Sequence, residues 1–415
     1  MPDNRYPDVV IVAGARTPIG VKCGTLSNFS AEDLGVLAAE ETIRRSGVGR
    51  ESIDAVVGAN VYQMTAPGMQ DIYFPRNVGL RCHLNTETPG LMVQRICGSG
   101  LQMVINGFQQ IALPQAVDDA RVVLCVGAET MSRAPQIVRS PRTDADFWKF
   151  HEGGTVEDSM LTSLNHDLAE TNMMLTADEY GHRTGVTRGE CDEFAELSHR
   201  RARAANRVSY FNGGDALKGM FALDAVDRTS RPVHMARDEC VRKTSLDVLA
   251  ALRGFTPHKL VSPGNASEIS DGAAALLIAD RKRADELGLP GRYAIVGYGV
   301  AGVDPRVMGR GPVPSIQQAI ARAGIEQSDV GLWEINEAFA AQYLGVEKEL
   351  KLDREITNVN GGAIAIGHPL AATGGRLLVD LMYEMQRRGV RYGCASACIG
   401  GGQGVAVIIR DTEMS

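Results

Sequence analysis

One alternation of strand and helix patterns occurs twice in this chain of 415 residues. Short apolar runs such as 9–12 and 121–126 predict buried strands. Between them, Ser30 predicts the N-cap of a helix and Gly47 its end. The alternation resumes with the strand pattern at 271–278, and the opening layout then begins again with the strand pattern at 293–297. It predicts an α/β fold with helices on both faces of a mostly parallel sheet, built as two similar halves packed back to back.

The first half is interrupted by a long stretch, 128–268, in which the alternation stops. This stretch is rich in Arg, Asp and Met and has one clear helical pattern, at about 188–206. It is too long for a linker, so we expect an inserted loop domain. The strand pattern within 269–284 completes a first half that begins with 1–127, and 285–415 form the second half.

Composition excludes several classes of protein. A net charge of −7 provides no basic surface for nucleic acid and no polybasic membrane signal. No apolar run approaches the ~18 residues of a membrane span, and residues 1–5 lack the apolar core of a signal peptide. The cysteines are dispersed, which favours a reducing compartment, the cytoplasm. Their one close pair, Cys394 and Cys398, has no neighbouring pair or His cluster, so we expect no metal site.

The most informative cysteine is Cys97, which lies between an extended apolar run and a helical pattern. The apolar residues after it recur at helical spacing: Leu101, Val104, Ile105, Phe108 and Ile111. Cys97 is therefore predicted at a helix N-terminus, where partial positive charge and free N–H groups lower the pKa of a thiol. Taken alone, the commoner explanation is a buried cysteine packed as a small apolar residue.

Three later stretches combine reactive or polar side chains with glycine-rich turns or helix starts. Asn336 follows a strand pattern, His368 lies in the glycine-rich loop 361–369, and Cys398 precedes a run of three glycines. Taken singly, Asn336 is a helix cap, His368 a structural hydrogen-bonding residue and Cys398 a core cysteine.

Together these residues indicate a catalytic site. Ligands of α/β sheets bind beyond the carboxyl ends of the strands, where all of them are predicted to lie. Cys97 with His368 is the pairing that produces a thiolate nucleophile. Cys398, with glycine N–H groups behind it, can move a proton beside an oxyanion site.

These stretches, in this order, resemble the motifs of the thiolase family. The matching segments are 96–100, 336–339, 361–369 and 398–404, and 10–18, 127–132 and 264–267 also fit. The resemblance covers essentially the whole chain, and 336–409 are most similar to the mitochondrial-type 3-ketoacyl-CoA thiolases. It implies two duplicated α/β halves in a layered αβαβα sandwich with an inserted loop domain.

The resemblance also implies roles for the site residues. Cys97 would hold the acyl group as a thioester, and His368 would take the proton of its thiol. Cys398 would remove a proton from acetyl-CoA in synthesis, or protonate the carbon leaving group in cleavage. One oxyanion hole would combine His368 with a water held by Asn336, and the other would use the backbone N–H groups of Cys97 and Gly400. The implied reaction is reversible thiolytic cleavage of 3-ketoacyl-CoA by coenzyme A, with ping-pong kinetics.

Coenzyme A and acyl-CoA are substrates of that reaction, and the resemblance implies no resident cofactor. Family members bind coenzyme A in the inserted domain, where Arg242, Phe255 and Ser267 match positions of that site. Arg242 alone equally fits an exposed surface arginine. Met173 matches a methionine that lines the acyl pocket, and we assign Phe339 of the amide motif to substrate binding as well.

Three alternatives stay open. Short-chain acetoacetyl-CoA thiolases often have His where this chain has Asn172, so longer acyl chains are favoured, and an acetoacetyl-CoA-specific biosynthetic thiolase is the alternative. A ketoacyl synthase typically has His or Asn in place of Cys398. A catalytically silent acyl-CoA-binding or lipid-transfer protein is the alternative from another class.

The resemblance implies a homo-oligomer, either a dimer or a tetramer with contacts through the insertion. It allows a hydratase or dehydrogenase of fatty-acid oxidation as a partner. In a eukaryote the expected location becomes the mitochondrial matrix.

Overall fold

The computed structural model describes residues 8–113, 119–139, 155–207, 219–227 and 229–414. Its strands are β1 Val9–Arg16, β2 Gly20–Val21, β3 Ala55–Ala59, β4 Gly90–Val93, β5 Val122–Thr130, β6 Gln136–Arg139, β7 Thr155–Asp158, β8 Asn165–His166, β9 Thr171–Asn172, β10 Leu223–Val226, β11 Pro232–Met235, β12 Ser270–Asp280, β13 Tyr293–Gly302, β14 Val330–Ile335, β15 Tyr392–Ile399 and β16 Gln403–Asp411. Its α-helices are α1 Ala31–Ser46, α2 Phe74–Arg81, α3 Ser99–Ala112, α4 Ser159–Ser163, α5 Met173–Arg183, α6 Arg188–Arg207, α7 Leu246–Ala250, α8 Arg281–Glu286, α9 Pro312–Ala323, α10 Ala340–Leu350, α11 Ala363–Ile366 and α12 Leu370–Arg388.

Local sequence explains where the first long helix begins and ends. The Ser30 hydroxyl accepts from the Asp33 N–H at 3.1 Å, and the Asp33 carboxylate accepts from the Ser30 N–H at 3.0 Å. This reciprocal pair satisfies donors that a helix start leaves free. The helix ends at Gly47, which has a φ of 71°, the left-handed conformation that glycine adopts without steric cost.

A mixed sheet runs through the molecule, with the strand order β14-β15-β16-β13-β1-β12-β5-β3-β4. The two halves join between β1 and β13 by only two residue pairs, Val10 with Ala294 and Ile11 with Tyr293. Within the described residues, the parallel neighbours in this sheet are β3 with β4, β3 with β5, and β14 with β15, and its other pairs are antiparallel.

The prediction of a mostly parallel sheet is therefore wrong. Alternation along the chain describes successive elements, but many strands that pair here are not successive. β5 and β12 pair along their length although the whole insertion separates them. β15 and β16 are joined by a short glycine turn, a connection that only antiparallel neighbours can have.

Helices form three layers around the two sheet halves. α1 and α2 pack on the outer face of the first half, and α9 and α10 on the outer face of the second. α3 and α12 lie between the halves and contact strands of both. α12 is buried from Leu370 to Met385, as expected of a helix covered on all sides. The predicted αβαβα layering is confirmed.

In its described part, the insertion combines short strands with two longer helices, α5 and α6. β6 pairs with β7, β8 with β9, and β10 with β11, and the predicted helix at 188–206 is α6. A buried ion pair ties the insertion to the rest of the chain, because Arg16 on β1 donates to Asp238 at 2.8 Å and to Asp380 on α12 at 3.0 Å. Among the described residues, no helix has both the length and the apolarity of a membrane span.

Candidate active site

Four predicted site residues are buried where loops of the two halves meet. Cys97 lies in a short 3-10 turn that leads into α3. Asn336 follows β14, His368 lies two residues before α12, and Cys398 is near the end of β15. Cys97 and Cys398 interact through their charges, and Nε2 of His368 lies 3.3 Å from Nδ2 of Asn336. The turn that holds Cys97 contacts α12, which begins two residues after His368.

The backbone around Cys97 is held in an unusual conformation. Ile96 has a φ of 42°, the left-handed region in which a β-branched residue is an outlier. Ser99 stabilises the turn by donating its hydroxyl to the Ile96 carbonyl at 2.7 Å. A Cβ on Gly98 would lie 2.5 Å from Cδ1 of Ile399, so only glycine allows this close approach to β15. Backbone strain of this kind clusters at functional sites.

The Cys97 thiol is protonated at rest. Burial raises its pKa to about 11, and the nearby carboxylate of Glu129 raises it too, while the N–H groups of Gly400 and of Cys97 itself lower it. The predicted low pKa is therefore wrong. The N–H groups are present as expected, but the cost of burying a thiolate exceeds their effect. Cys97 thus needs a base to become a nucleophile.

Cys398 lies beside Cys97 in its own apolar cluster. Burial raises the pKa of Cys398 well above its ordinary value, and the proximity of Cys97 raises it further. The residues packed around it are Met173, Met308, Ala338 and Phe339. The Met173 sulfur also contacts the glycine turn, since a Cβ on Gly400 would lie 3.0 Å from it.

His368 is held as a neutral ring in one tautomer. Its Nδ1 lies 2.7 Å from the Thr373 hydroxyl, and its Nε2 lies 3.3 Å from Nδ2 of Asn336. The Thr373 hydroxyl donates its single proton to the Pro369 carbonyl at 2.9 Å. It can therefore only accept from Nδ1–H, which leaves Nε2 unprotonated. Burial and, to a smaller extent, the charge of Arg376 together lower the pKa of His368 to about 3.

These bonds keep Nε2 of His368 unprotonated, and its one lone pair accepts from Nδ2 of Asn336 in the resting site. Neither bond of the imidazole is to a thiol in this structure. Hydrogen bonds between catalytic groups often form only when substrate is present, so this geometry suits a resting site.

Asn336 is not a helix cap, because α10 begins only at Ala340. Its backbone N–H donates to the Ser396 carbonyl at 2.8 Å, which fixes it at the end of β14. With Nδ2 bonded to His368, Oδ1 is buried and has no partner among the described residues. Unsatisfied buried acceptors are uncommon, and this one is available to a water or a ligand.

Only some of the residues predicted to bind coenzyme A lie near the thiols. Ser267 is adjacent, since its N–H donates to the Ala338 carbonyl at 3.0 Å. Arg242 pairs with Glu268 at 2.7 Å, and the backbone carbonyl of Glu268 accepts from the N–H of the site histidine at 3.1 Å. Phe255 is 48% exposed and belongs to neither apolar cluster around the thiols.

Several residues of the site were not singled out from the sequence. The apolar cluster around Cys97 contains Tyr62, Met131, Met160 and Leu370. The buried Glu129 and Thr373 are further examples. Thr373 follows His368 by five residues at the start of a helix, a spacing that could have been noticed. Met160 lies in the insertion, where no local pattern marked it.

The arrangement combines two buried thiols, a neutral imidazole and an unsatisfied amide oxygen. One thiol can act as a nucleophile after losing its proton to the imidazole, and the second can exchange a proton with a neighbouring carbon. In the described residues, no group of three or more His, Cys, Asp or Glu is placed to hold a metal ion.

Comparison with known proteins matches nearly the whole chain. Residues 9–282 match the thiolase N-terminal domain, and residues 290–411 match the thiolase C-terminal domain. The chain is 41% identical to the human mitochondrial 3-ketoacyl-CoA thiolase, over 97% of this chain and 98% of that one. It is 37% identical to an acetyl-CoA acetyltransferase of Cupriavidus necator, over 97% and 99%.

Solved structures give the same result. The crystal structure of human mitochondrial 3-ketoacyl-CoA thiolase in complex with CoA has a TM-score of 0.89 and 41% identity, and the match covers 98% of each chain. Both the fold and nearly the full length of the sequence are therefore shared with these acyltransferases. The chain belongs to the thiolase family.

Proposed function

We propose that the protein cleaves 3-ketoacyl-CoA with coenzyme A, and catalyses the reverse Claisen condensation, through an acyl group held on Cys97. The observation that supports this most directly is a pair of buried, interacting thiols beside a neutral imidazole with an unprotonated Nε2, which lies just before the helix that contacts the Cys97 turn. Cleavage of a carbon–carbon bond beside a thioester needs a nucleophile for the keto carbon and an acid for the departing carbon. The names of the relatives favour this acyltransferase over a ketoacyl synthase or a silent acyl-CoA-binding protein.

In the first half-reaction, Nε2 of His368 takes the proton of the Cys97 thiol. The thiolate attacks the keto carbon, and the bond between that carbon and the α-carbon breaks. The electron pair leaves with acetyl-CoA as its enolate, and Cys398 protonates the α-carbon. This leaves an acyl-Cys97 thioester, an imidazolium and a Cys398 thiolate.

In the second half-reaction, coenzyme A replaces the departed acetyl-CoA. The Cys398 thiolate takes the proton of the incoming thiol, which attacks the acyl-Cys97 carbonyl. The shortened acyl-CoA forms, Cys97 leaves as a thiolate, and His368 returns the first proton to it. All three groups regain their resting protonation states.

Two sets of donors would stabilise the negative oxygen atoms formed in these steps. The N–H groups of Cys97 and Gly400 already point at the Cys97 sulfur, as their effect on its pKa indicates. They suit the oxyanion of the acyl-transfer step. The imidazole of His368 and a water on the unsatisfied Oδ1 of Asn336 suit the enolate of acetyl-CoA.

We infer that the substrates extend beyond acetoacetyl-CoA. The Asn172 side chain, where short-chain relatives often have His, caps α5 by accepting from the Leu175 N–H at 3.0 Å. The cluster around Cys97 includes Met131 and Met160, whose flexible side chains can repack around acyl chains of different length. Met173 and Phe339, which pack on Cys398, are suited to contact the α-carbon side of the substrate.

Coenzyme A is proposed to enter as a substrate through the insertion. Ser267 is next to the Cys398 cluster, and the half-exposed Arg242 can exchange its ion pair with Glu268 for a phosphate. The exposed ring of Phe255 is available for stacking on an adenine. One relative's structure is a complex with CoA, which supports the ligand class.

We further infer a homo-oligomer. β4 is a short strand at the edge of the sheet, and Leu91 in it is exposed. The preceding segment also exposes large apolar side chains, namely Met64, Met69, Ile72, Tyr73 and Leu80. An open edge beside apolar surface is normally covered in a native protein, and a second copy of the chain would cover both. A monomeric mass by light scattering would contradict this inference.

Other expectations stay predictions. These are the choice between dimer and tetramer, a hydratase or dehydrogenase partner, and the location in the cytoplasm, or in the mitochondrial matrix of a eukaryote.

The two thiols can be separated experimentally. Cys398→Ala should leave Cys97 able to take an acyl group from a thioester, while condensation of two acetyl-CoA molecules is lost. Cys97→Ala should abolish both. Acylation is measured by mass spectrometry of the Cys97 peptide, and thiolysis by loss of absorbance of the magnesium–acetoacetyl-CoA enolate.

The matched control is Cys394→Ala, another fully buried cysteine of β15. It should lower thermal stability and leave both half-reactions intact. Condensation by the Cys398→Ala protein at the wild-type rate would refute the assigned role. A wild-type protein inactive on 3-ketoacyl-CoA of every chain length would refute the proposed function.

A further inference from the structure

Glu129 is a fully buried carboxylate at the end of β5, and both of its oxygens are occupied. Oε1 accepts from Nδ2 of Asn60 at 3.0 Å and from the N–H of Tyr62 at 2.9 Å. Oε2 accepts from the N–H of Val61 at 3.1 Å and from the N–H of Ala371 at 3.1 Å. One side chain thus joins β5, the segment after β3 and the first turn of α12.

The two segments that Glu129 holds form walls around the nucleophile. Tyr62 belongs to the apolar cluster that contains Cys97, and so does Leu370, the neighbour of Ala371. The same turn of α12 follows directly on His368 and Pro369. A shift of either segment would therefore move the side chains around the thiol and the loop that holds its base.

The carboxylate also acts on the thiol through its charge. Burial raises the pKa of Glu129 to about 7, its backbone N–H partners lower it, and Asp271 raises it. Its negative charge raises the pKa of Cys97 and of the Tyr62 phenol. A carboxylate at this place opposes the formation of the Cys97 thiolate. Glu129 is therefore not a group that activates Cys97.

We propose that Glu129 is a positioning residue: it fixes the 60–62 segment and the start of α12 against Cys97. The proposal rests on Cys97 being the acylated residue of the proposed function. It goes beyond that function by assigning a role to a buried carboxylate that takes no part in the transfer of the acyl group.

Glu129→Gln tests the proposal with almost no change in shape. Each oxygen of Glu129 accepts two donors, so whichever way the amide is turned, its NH2 group faces two N–H groups. With the NH2 group on one side, the 60–62 segment loses two of its three bonds to this side chain; on the other side, the start of α12 loses its bond together with that of Val61. We expect kcat for thiolysis to fall by about tenfold or more, since small misplacements of catalytic groups have effects of that order. KM for coenzyme A should change little, because Glu129 is not among the residues proposed to bind it.

A second readout distinguishes positioning of Cys97 from a general structural role. Removal of the negative charge should lower the pKa of Cys97, so the midpoint of its alkylation by iodoacetamide should move to lower pH. Alkylation of the Cys97 peptide is quantified by mass spectrometry and needs no turnover. It remains interpretable even if the proposed substrate is wrong.

Asp178→Asn is the matched control. Asp178 is also buried and accepts from the N–H groups of His258 and Leu260 at 2.8 and 3.0 Å, but it holds a loop away from Cys97. Its loss should lower Tm and leave the alkylation midpoint unchanged. If Glu129→Gln does not fold, Glu129→Asp retains the charge but shortens the reach, and should lower kcat without moving the midpoint.

Two results would overturn the proposal. One is a kcat of Glu129→Gln that stays within about twofold of wild type. If only Glu129→Asp folds, the same result with that protein counts instead. The other is an alkylation midpoint that does not move in Glu129→Gln. An inactive wild-type protein with a shifted midpoint in Glu129→Gln would refute the proposed function while supporting the role of Glu129.

Discussion

The hydrogen bond between His368 and Thr373 can be removed without altering the shape of the site. The Thr373 hydroxyl accepts from Nδ1–H of the imidazole at 2.7 Å and donates to the Pro369 carbonyl at 2.9 Å. Thr373→Val replaces that hydroxyl by a methyl group. Nδ1–H would then be a buried donor without a partner.

The expected cost follows from the environment of the ring. An unsatisfied buried donor costs about 1–3 kcal/mol, and about 1.4 kcal/mol corresponds to a factor of ten. The ring can avoid this cost by moving its proton to Nε2, but Nε2–H would face Nδ2 of Asn336, a second donor, and could not accept the Cys97 proton. By either route we expect kcat/KM for thiolysis to fall by about 10- to 100-fold.

Thr42→Val is the matched control. Thr42 is also a fully buried helical threonine, and its hydroxyl also donates to the carbonyl four residues earlier, at 2.8 Å. It lies on α1, away from the thiols. Thr42→Val should lose stability as Thr373→Val does, and should retain activity.

The assay is the initial rate of acetoacetyl-CoA and 3-ketodecanoyl-CoA thiolysis, with Tm measured in parallel. Thr373→Ser, which retains the hydroxyl, should recover most of the lost rate. If kcat/KM of Thr373→Val stays within about twofold of the Thr42→Val value, the tautomer assigned to His368 has no catalytic importance.

Two further predictions concern chain length and pH. Met160→Ala enlarges the cluster around Cys97, so the ratio of kcat/KM for a long 3-ketoacyl-CoA to that for a short one should rise. The rise should be up to about fourfold per added CH2, since each buried CH2 is worth about 0.8 kcal/mol. Met385→Ala, in the central core, should leave the ratio unchanged. The pKa of His368 is lowered from 6.5 to about 3, so between these pH values the unfolded chain binds a proton that the folded chain excludes. The stability that this histidine contributes above pH 6.5 is therefore lost as the pH falls toward 3. Tm of wild type should therefore fall more steeply with acidification than Tm of His368→Asn, and parallel slopes would contradict the neutral histidine.

Features that rest on local sequence could be predicted. The repeated alternation indicated two α/β halves, and the helical pattern at 188–206 matches α6 closely. The four site residues were singled out by the glycine-rich turns and element ends around them, and their roles were implied by the resemblance to the thiolase motifs. Strand direction was predicted wrongly, since it depends on which strands pair and not on which strands follow one another.

Interactions between distant segments could not be read from the sequence. Glu129 bonds to Ala371, 242 positions away, and no local pattern connects the two. The prediction of a low pKa for Cys97 was wrong for a related reason. A helix start with free N–H groups is visible in the sequence, but the depth at which tertiary packing buries the thiol is not, and burial has the larger effect.

The protonation states together explain how two cysteines can lie side by side in a buried site. At neutral pH burial keeps both thiols protonated and His368 uncharged, so the resting site has no thiolate pair whose repulsion would have to be overcome. In the proposed mechanism, charge arises only when substrate allows a proton to move from Cys97 to His368, and the N–H groups of Cys97 and Gly400 are already in place for it. A strongly activated resting thiolate would be exposed to oxidation and alkylation without substrate. The raised pKa of Cys97 is therefore consistent with a nucleophile whose reactivity depends on the bound substrate, and Glu129 contributes to that dependence.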